Sequence, residues 1–155
     1  MSLIKTDAIQ TLAGKPIVNS TGSVLQVVSA STSTYAQTTS STYSDTGLSA
    51  TITPTSSSSK VMILISAGMG NTTGTANNNT RILRGSTEVC SFSRVSHDAG
   101  DGNQGHESFT FLDSPSTTSA TTYKLQFMTD TGAFRFCDFS GDTTTATITL
   151  IEIAG

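Results

Sequence analysis

Apolar and polar residues alternate along much of the chain with the period of two that is typical of β-strands. Tyr123, Leu125 and Phe127 share one face of such a stretch, whereas Lys124 and Gln126 point the other way. The same alternation recurs in residues 48–53 and 107–113. Thr, Ser, Val, Ile and Phe dominate these stretches. Because β-branched and aromatic side chains fit a pleated surface, the pattern favours strands over helices.

Two stretches are apolar on both faces, residues 60–66 and 146–153, and are predicted as central strands covered on both sides. Arg84-Gly85-Ser86 separates two apolar runs and predicts a hairpin over residues 80–94. Strands are predicted near residues 23–29, 48–53, 60–67, 80–84, 87–94, 107–112, 122–129, 133–139 and 145–153.

This spacing predicts an all-β fold, an antiparallel β-sandwich with jelly-roll-like topology. An immunoglobulin-like sandwich is the alternative, although the chain has no Trp for the usual core position. Residues 23–155 are assigned to the sandwich and residues 1–22 to an irregular N-terminal segment. Loops are expected at residues 29–44, 68–80 and 96–105, which are rich in Ser, Thr, Gly, Asn and Asp.

The first 22 residues contain apolar side chains, but Gly14 and Pro16 interrupt any helix. The segment is too apolar for a free tail and too irregular for a core element. We expect the rest of the protomer or a partner to hold it through Leu3, Ile4, Ile9, Leu12 and Ile17.

Composition narrows the functional classes. The chain has 155 residues, a net charge of -3, only 12% charged residues, and 24 serines and 29 threonines. Eight scattered Lys and Arg residues argue against nucleic acid as a partner, since phosphate binding needs clustered cations. The longest apolar run, residues 61–65, is far shorter than the roughly 20 residues that span a bilayer. No signal peptide is visible, so no membrane partner is expected.

Cys90 and Cys137 lie in strand-like runs without the spacing of a zinc site. They are interpreted as two small buried hydrophobes, with a disulfide as the alternative.

His97-Asp98 and His106-Glu107 flank a Gly-rich stretch and invite a metal or catalytic interpretation. A metal site needs three or four convergent ligands, which loop spacing does not ensure. A solvated polar loop is therefore favoured. No catalytic residue, metal or cofactor is assigned.

Tyr35 and Tyr43 lie in the Ser/Thr-rich stretch. They are expected to cap the core of the sandwich, and a receptor contact is the alternative, since Tyr is enriched at binding surfaces.

Five stretches taken together resemble the small structural and tail-fibre-like virion proteins of marine and cyanobacterial tailed bacteriophages. They are residues 1–26, 81–87, 111–115, 121–127 and 148–153, which include MSLIKTD, RILRGST, FLDSP, TTYKLQF and ITLIEI. The likeness covers most of the chain and carries over no catalytic residue.

The resemblance implies a virion component that turns over no substrate. In this hypothesis the N-terminal segment docks on the capsid or tail through Leu3, Ile4, Ile9, Leu12 and Ile17. The sandwich, a homo-oligomer and by resemblance a trimer, is then displayed as a capsid decoration, a cement or a short appendage.

The alternative hypothesis is the receptor-binding tip of a tail fibre that contacts host surface glycans. The candidate contact residues are Tyr35, Tyr43, His97 and His106. A particle-borne glycan hydrolase would need paired carboxylates, for which Asp98, Asp101 and Glu107 are available but not brought together by the sequence.

Overall fold

The computed structural model of this chain describes residues 21–73, 76–93, 95, 104–139 and 142–155. The regular structure in these ranges is entirely β-strand. The strands are β1 Val24–Thr32, β2 Ala36–Thr38, β3 Ser44–Ile52, β4 Lys60–Asn71, β5 Asn78–Arg84, β6 Thr87–Ser93, β7 Gln104–Asp113, β8 Thr121–Thr129, β9 Phe134–Phe136, β10 Asp138–Phe139, β11 Asp142–Thr143 and β12 Ala146–Ile153.

The long strands form two antiparallel sheets. In the six-stranded sheet β12 lies between β1 and β4, and β7 pairs with the other edge of β4. The short strand β9 pairs with the end of β4 that β12 does not reach, and β2 pairs with β9. The four-stranded sheet has the order β3-β8-β5-β6. A small ribbon pairs β10 with β11.

The eight long strands thus form two four-stranded layers, β1-β12-β4-β7 and β3-β8-β5-β6. Only the β5–β6 hairpin joins neighbours in one sheet, and the other connections between successive long strands cross from sheet to sheet. Two layers with this order are a jelly roll. The predicted antiparallel, jelly-roll-like sandwich is confirmed, and the immunoglobulin-like alternative is not what the chain adopts.

The core fills the space between the two sheets. Every second residue of β4 and β8 points inward, and burying each such large apolar side chain contributes roughly 1.5–3 kcal/mol. The ring of Phe127 on β8 lies 5.7 Å from that of Phe134 on β9, which closes one end of the core. The largest fully buried side chains are Tyr123, Phe127, Phe134, Phe136, Leu48, Ile52, Ile63, Ile65, Met69, Ile82, Leu125 and Ile148.

One buried carboxylate ties the connection between β3 and β4 to the end of the six-stranded sheet. Glu152 is fully buried on β12. Its Oε1 accepts hydrogen bonds from the backbone N of Thr55 at 2.7 Å and from the Thr55 hydroxyl at 2.8 Å, and Gln26 Nε2 donates to Oε2 at 2.6 Å. Burial alone would raise the pKa of Glu152, but hydrogen bonds, those from Gln26 and Thr55 among them, outweigh it and lower the pKa to about 2.

The hairpin predicted over residues 80–94 is confirmed in β5 and β6, where Arg84 pairs with Thr87 across Gly85-Ser86. Gly85 has φ +59, which suits the first central position of a two-residue hairpin turn.

Two predicted loops are partly wrong. The stretch 29–44 contains the end of β1 and all of β2, and the stretch 68–80 contains the end of β4 and the start of β5. Threonine and serine hydroxyls can hydrogen-bond to each other across paired strands, so a hydroxyl-rich sequence can continue a sheet. The third predicted loop, 96–105, lies outside the described residues except for its last two, which begin β7.

The strand predicted over residues 133–139 is interrupted. Cys137 has φ +59, a left-handed conformation, and separates β9 from β10. Cys137 is buried, Cys90 is half-buried, and both thiols are free, so the disulfide alternative is wrong. Residues 1–20 lie outside the described chain, and the division at residue 22 stays a prediction.

Candidate interaction surface

The outward side of the six-stranded sheet carries most of the exposed large apolar side chains. Val24, Val27, Leu64 and Leu112 lie there and are 60%, 58%, 36% and 44% exposed. Among the described residues, Tyr35 is the one other large hydrophobic residue that is exposed. We use the term outer face for the outward positions of four strands: Val24, Val27, Ser29, Ser31, Lys60, Met62, Leu64, Ser66, His106, Ser108, Thr110, Leu112, Thr147, Thr149, Ile151 and Ile153.

Strand register aligns four apolar side chains in one row across this face. Val27 pairs with Ile151, Ile151 pairs with Met62, and Met62 pairs with Leu112. Directly paired residues project from the same side of a sheet with Cβ atoms about 4.5–5.5 Å apart. The row therefore crosses β1, β12, β4 and β7 without interruption, and we call it the apolar row.

On one side of the apolar row, most positions carry hydroxyl-bearing side chains. One row contains Ser29, Thr149, Leu64 and Thr110, and Ser29 Oγ lies 3.2 Å from Thr149 Oγ1. The row after it contains only Ser and Thr, namely Ser31, Thr147, Ser66 and Ser108. A shallow hollow lies among these hydroxyls and Leu64.

β4 and β12 are central strands, as predicted, but within one chain only the inward face of each is covered. Val61 and Ile63 are fully buried, whereas Met62 is half-buried and Leu64 is exposed on the outer face. The four-stranded sheet covers one side of the six-stranded sheet, and the apolar row lies on the other side.

The opposite surface, on the four-stranded sheet, is charged. Lys124 Nζ lies 3.0 Å from Asp45 Oδ2, and Arg81 Nη1 lies 3.1 Å from Glu88 Oε2. A hydrogen bond from Gln126, together with Lys124, lowers the pKa of Asp45. On the outer face, by contrast, Lys60 is the one Lys, Arg, Asp or Glu side chain, and His106 lies there beside Ser66. The two exposed sides of the sandwich therefore differ in chemistry.

Tyr43 packs against the charged side. The guanidinium carbon of Arg81 lies 4.2 Å from the centre of the Tyr43 ring, a cation–π geometry. Burial and the charge of Glu88 raise the pKa of the Tyr43 phenol.

The predicted receptor residues that the structure describes do not form one site. Tyr35 follows β1, is 48% exposed, and its phenol donates a hydrogen bond to Gln37 Oε1. His106 is exposed on β7, with Nδ1 3.1 Å from Ser66 Oγ, on the side of the sandwich opposite Tyr43. His97 lies outside the described residues, as do the docking residues Leu3, Ile4, Ile9, Leu12 and Ile17. All nine assignments stay predictions.

No cluster of three or more His, Cys, Asp or Glu side chains that could hold a metal ion occurs within the described ranges. Glu107 lies on β7, whereas Asp98 and Asp101 lie outside those ranges. Nor does the described part of the chain contain a helix long and apolar enough to cross a membrane.

No protein-family model and no curated protein matches the chain. Among solved structures, it is similar to the D431N mutant VP2 protein of infectious bursal disease virus in derived T=1 particles, with a TM-score of 0.48 and 12% identity over 86% of this chain and 37% of that one. The Gt strain of the same virus gives a TM-score of 0.48 and 12% identity over 86% and 39%. A VP2 subviral particle gives 0.44 and 12% over 84% and 38%. The chain spans less than two fifths of these proteins. Similarity of this degree assigns neither a family nor a function.

The sequence pattern shows only part of the apolar row. The apolar character of residues 60–66 and 146–153 on both faces is the signal for Met62 and Ile151. Val27 and Leu112 join the row through strand register, which depends on residues more than a hundred positions apart in the case of β1 and β12.

Proposed function

We propose that this chain is a non-catalytic structural protein of a bacteriophage particle. It binds other proteins of the particle and serves as a capsid decoration, a cement or a short appendage protein. Its partners are capsid or tail proteins and further copies of itself, and the sequence resemblance implies three copies in all. Its location is the virion.

The outer face is the observation that carries this proposal. Contiguous exposed apolar patches larger than a few hundred Å² are rare on monomeric soluble proteins and mark interaction sites. Here an apolar row crosses four strands and carries two exposed ends, Val27 and Leu112. A rigid sheet face of this kind suits a permanent contact between proteins.

The interior supports the same interpretation. The space between the two sheets is filled by side chains such as Ile63, Leu125 and Phe127, all fully buried. Jelly rolls include viral capsid domains and lectins, so fold analogy allows a particle role and a glycan-binding role alike. The sequence resemblance to virion proteins favours the first.

Incorporation into particles tests the proposal. The full chain is supplied in trans to phage that lack it, and virions purified by density gradient are analysed by mass spectrometry. Wild-type chain is expected in particles at a fixed copy number. Leu12→Asp with Ile17→Asp is expected to remain folded but to be lost from particles.

Thr6→Asp with Thr11→Asp is the matched control, because it adds the same charge at polar positions of the same segment. Equal incorporation of both double variants would refute docking through the apolar residues. Absence of the wild-type chain from every particle fraction would refute the virion role.

Tyr35 favours one second candidate, the receptor-binding tip. Its ring is 48% exposed beside Gln37, and an aromatic face next to an amide is suited to stacking and hydrogen bonding with a sugar. Binding of purified chain to a host glycan, lost on Tyr35→Ala and kept on Tyr35→Phe, would support this candidate. Unchanged adsorption of Tyr35→Ala particles would exclude Tyr35 as a contact.

A further inference from the structure

We infer that the occupant of the outer face is a second copy of this chain. The inference deepens the proposed function, on which it rests, by naming which of the particle's proteins contacts this side of the sandwich. The contact would place the apolar row of one copy against the outer face of its neighbour and would leave the charged four-stranded sheet facing solvent.

The distribution of charge favours a copy of the same chain over a different partner. Identical copies carry identical charges, so a charged surface repels itself whereas an uncharged one does not. The net charge of the chain is -3, yet the outer face contains no Asp, Glu or Arg, one Lys, Lys60, and one His, His106. The acidic groups Asp45 and Glu88 lie in ion pairs on the opposite sheet. A partner recognised by charge would find Lys60 as the one Lys, Arg, Asp or Glu side chain to pair with here.

The size of the outer face also suits contact between copies. Seven residues of β4, from Lys60 to Ser66, pair with β12, and four strands lie side by side. At about 3.4 Å per residue and about 4.8 Å per strand, the flat area is roughly 450 Å² per copy. Two such faces, with the relief of their side chains, reach the roughly 1,000 Å² that a specific interface needs.

The apolar row of the face consists of side chains of the kind that fill the inside of the sandwich. Sheets pack face to face at about 10 Å when apolar side chains interdigitate. The apolar row supplies such side chains, and the neighbouring Ser and Thr hydroxyls can hydrogen-bond across the contact without a charge being buried. The half-exposed Met62 adapts its shape to a facing surface because its side chain is unbranched.

The test measures the mass of the full-length chain in solution by analytical ultracentrifugation, from micromolar to sub-millimolar concentration. Wild type is expected to be an oligomer. Met62→Lys should weaken self-association by at least about tenfold, because the contact between copies would bury the ammonium group of the new lysine without a partner. Met128→Lys is the matched control, since Met128 is half-buried on a central strand of the opposite sheet and should leave the mass unchanged.

Val27→Lys with Leu112→Lys provides a second variant at the two exposed ends of the row, where folding should be unaffected. Circular dichroism confirms that each variant is folded. The inference is overturned if wild type is a single copy, or if the oligomer persists both in Met62→Lys and in Val27→Lys with Leu112→Lys. The outer face would then be left to the N-terminal segment or to another particle protein.

This measurement and the incorporation experiment together separate the inference from the proposed function. A contact between two identical outer faces closes as a pair, so three copies would keep the trimer of the proposed function and contradict this contact. Two copies would keep the contact and contradict the trimer. An oligomer that depends on the apolar row but never enters particles would keep the inference and refute the virion role.

Discussion

The phenol of Tyr123 donates a 2.6 Å hydrogen bond to Oδ2 of Asp113, and the bond joins the two sheets of the jelly roll. Tyr123 belongs to β8 in the four-stranded sheet, and Asp113 ends β7 in the six-stranded sheet. Arg84 Nη1 also donates to both carboxylate oxygens, at 2.9 and 2.8 Å. Both donors thus come from one sheet and the acceptor from the other.

Tyr123→Phe should destabilise the fold by about 1.5–3 kcal/mol, because a hydrogen bond to a charged group is lost in a buried place. Burial, and then the hydrogen bond and charge of Asp113, raise the pKa of the Tyr123 phenol, so it stays protonated and able to donate at neutral pH. Urea unfolding measures the change. Tyr35→Phe, at an exposed ring, should stay within about 0.5 kcal/mol of wild type. Equal losses in the two variants would contradict a role for the bond between the sheets.

Glu152 predicts a specific loss of stability in acid. Its pKa is about 2 in the folded chain and near 4.5 when unperturbed, so folding favours the ionised form. The stabilisation is complete above about pH 4.5 and is lost as the pH falls toward 2. Wild type should therefore exceed Glu152→Gln by about 2–3 kcal/mol at neutral pH, and the difference should shrink below pH 4.5.

Unfolding curves of both proteins at a series of pH values check this, since carboxylates common to both cancel in the difference. Glu88→Gln, which alters an exposed ion pair with Arg81, is the control and should cost less than about 1 kcal/mol. A difference between wild type and Glu152→Gln that is independent of pH would show that the carboxylate does not ionise as described.

Gly85 predicts a backbone effect without a steric clash. Its φ is +59, and a Cβ built there meets no atom within 4 Å. Gly85→Ala should cost about 1–2 kcal/mol from the left-handed conformation alone. Ser86→Ala, one residue later in the same turn, should change the free energy of unfolding by less than about 0.5 kcal/mol. Thermal unfolding of the two variants measures this difference. A Gly85→Ala variant as stable as wild type would be inconsistent with the described turn.

Truncating Ile63 should destabilise the fold far more than truncating Met128, because Ile63 points into the core and Met128 points away from it. Ile63 is fully buried on β4, so Ile63→Ala should cost about 2–5 kcal/mol because it leaves a cavity between the sheets. Met128 is half-buried on the outside of β8, and Met128→Ala should cost less than about 1 kcal/mol. Similar losses in both would mean that the inward and outward sides of these strands are assigned wrongly.

Local patterns sufficed for most strands and for the hairpin at Gly85, because alternation and turn residues act over a few positions. They failed where hydroxyl-rich residues continue a strand, as Ser31 and Thr32 do in β1, since Ser and Thr are typical of loops and edge strands alike. The break at Cys137 carries no sequence signal, because a left-handed conformation at that residue type is rare.

The candidate surface was harder to predict than the fold. Met62 and Ile151 were visible as apolar residues on strands with two apolar faces, but their alignment with Val27 and Leu112 depends on pairing between distant strands. A shift of one residue would turn each of these side chains to the other side of the sheet. Only the assembled register therefore shows the row.

The position of β12 has a consequence for how the chain is made. The last strand in sequence is an inner strand that joins β1 to β4, with Val24 paired to Ile153. While a ribosome is still translating, β1 and β4 have nothing between them, and the six-stranded sheet cannot close until Ile153 has left the exit tunnel. Closure of this sheet is therefore expected to be a late step of folding and a slow one, since pairings so distant in sequence are entropically costly to bring together.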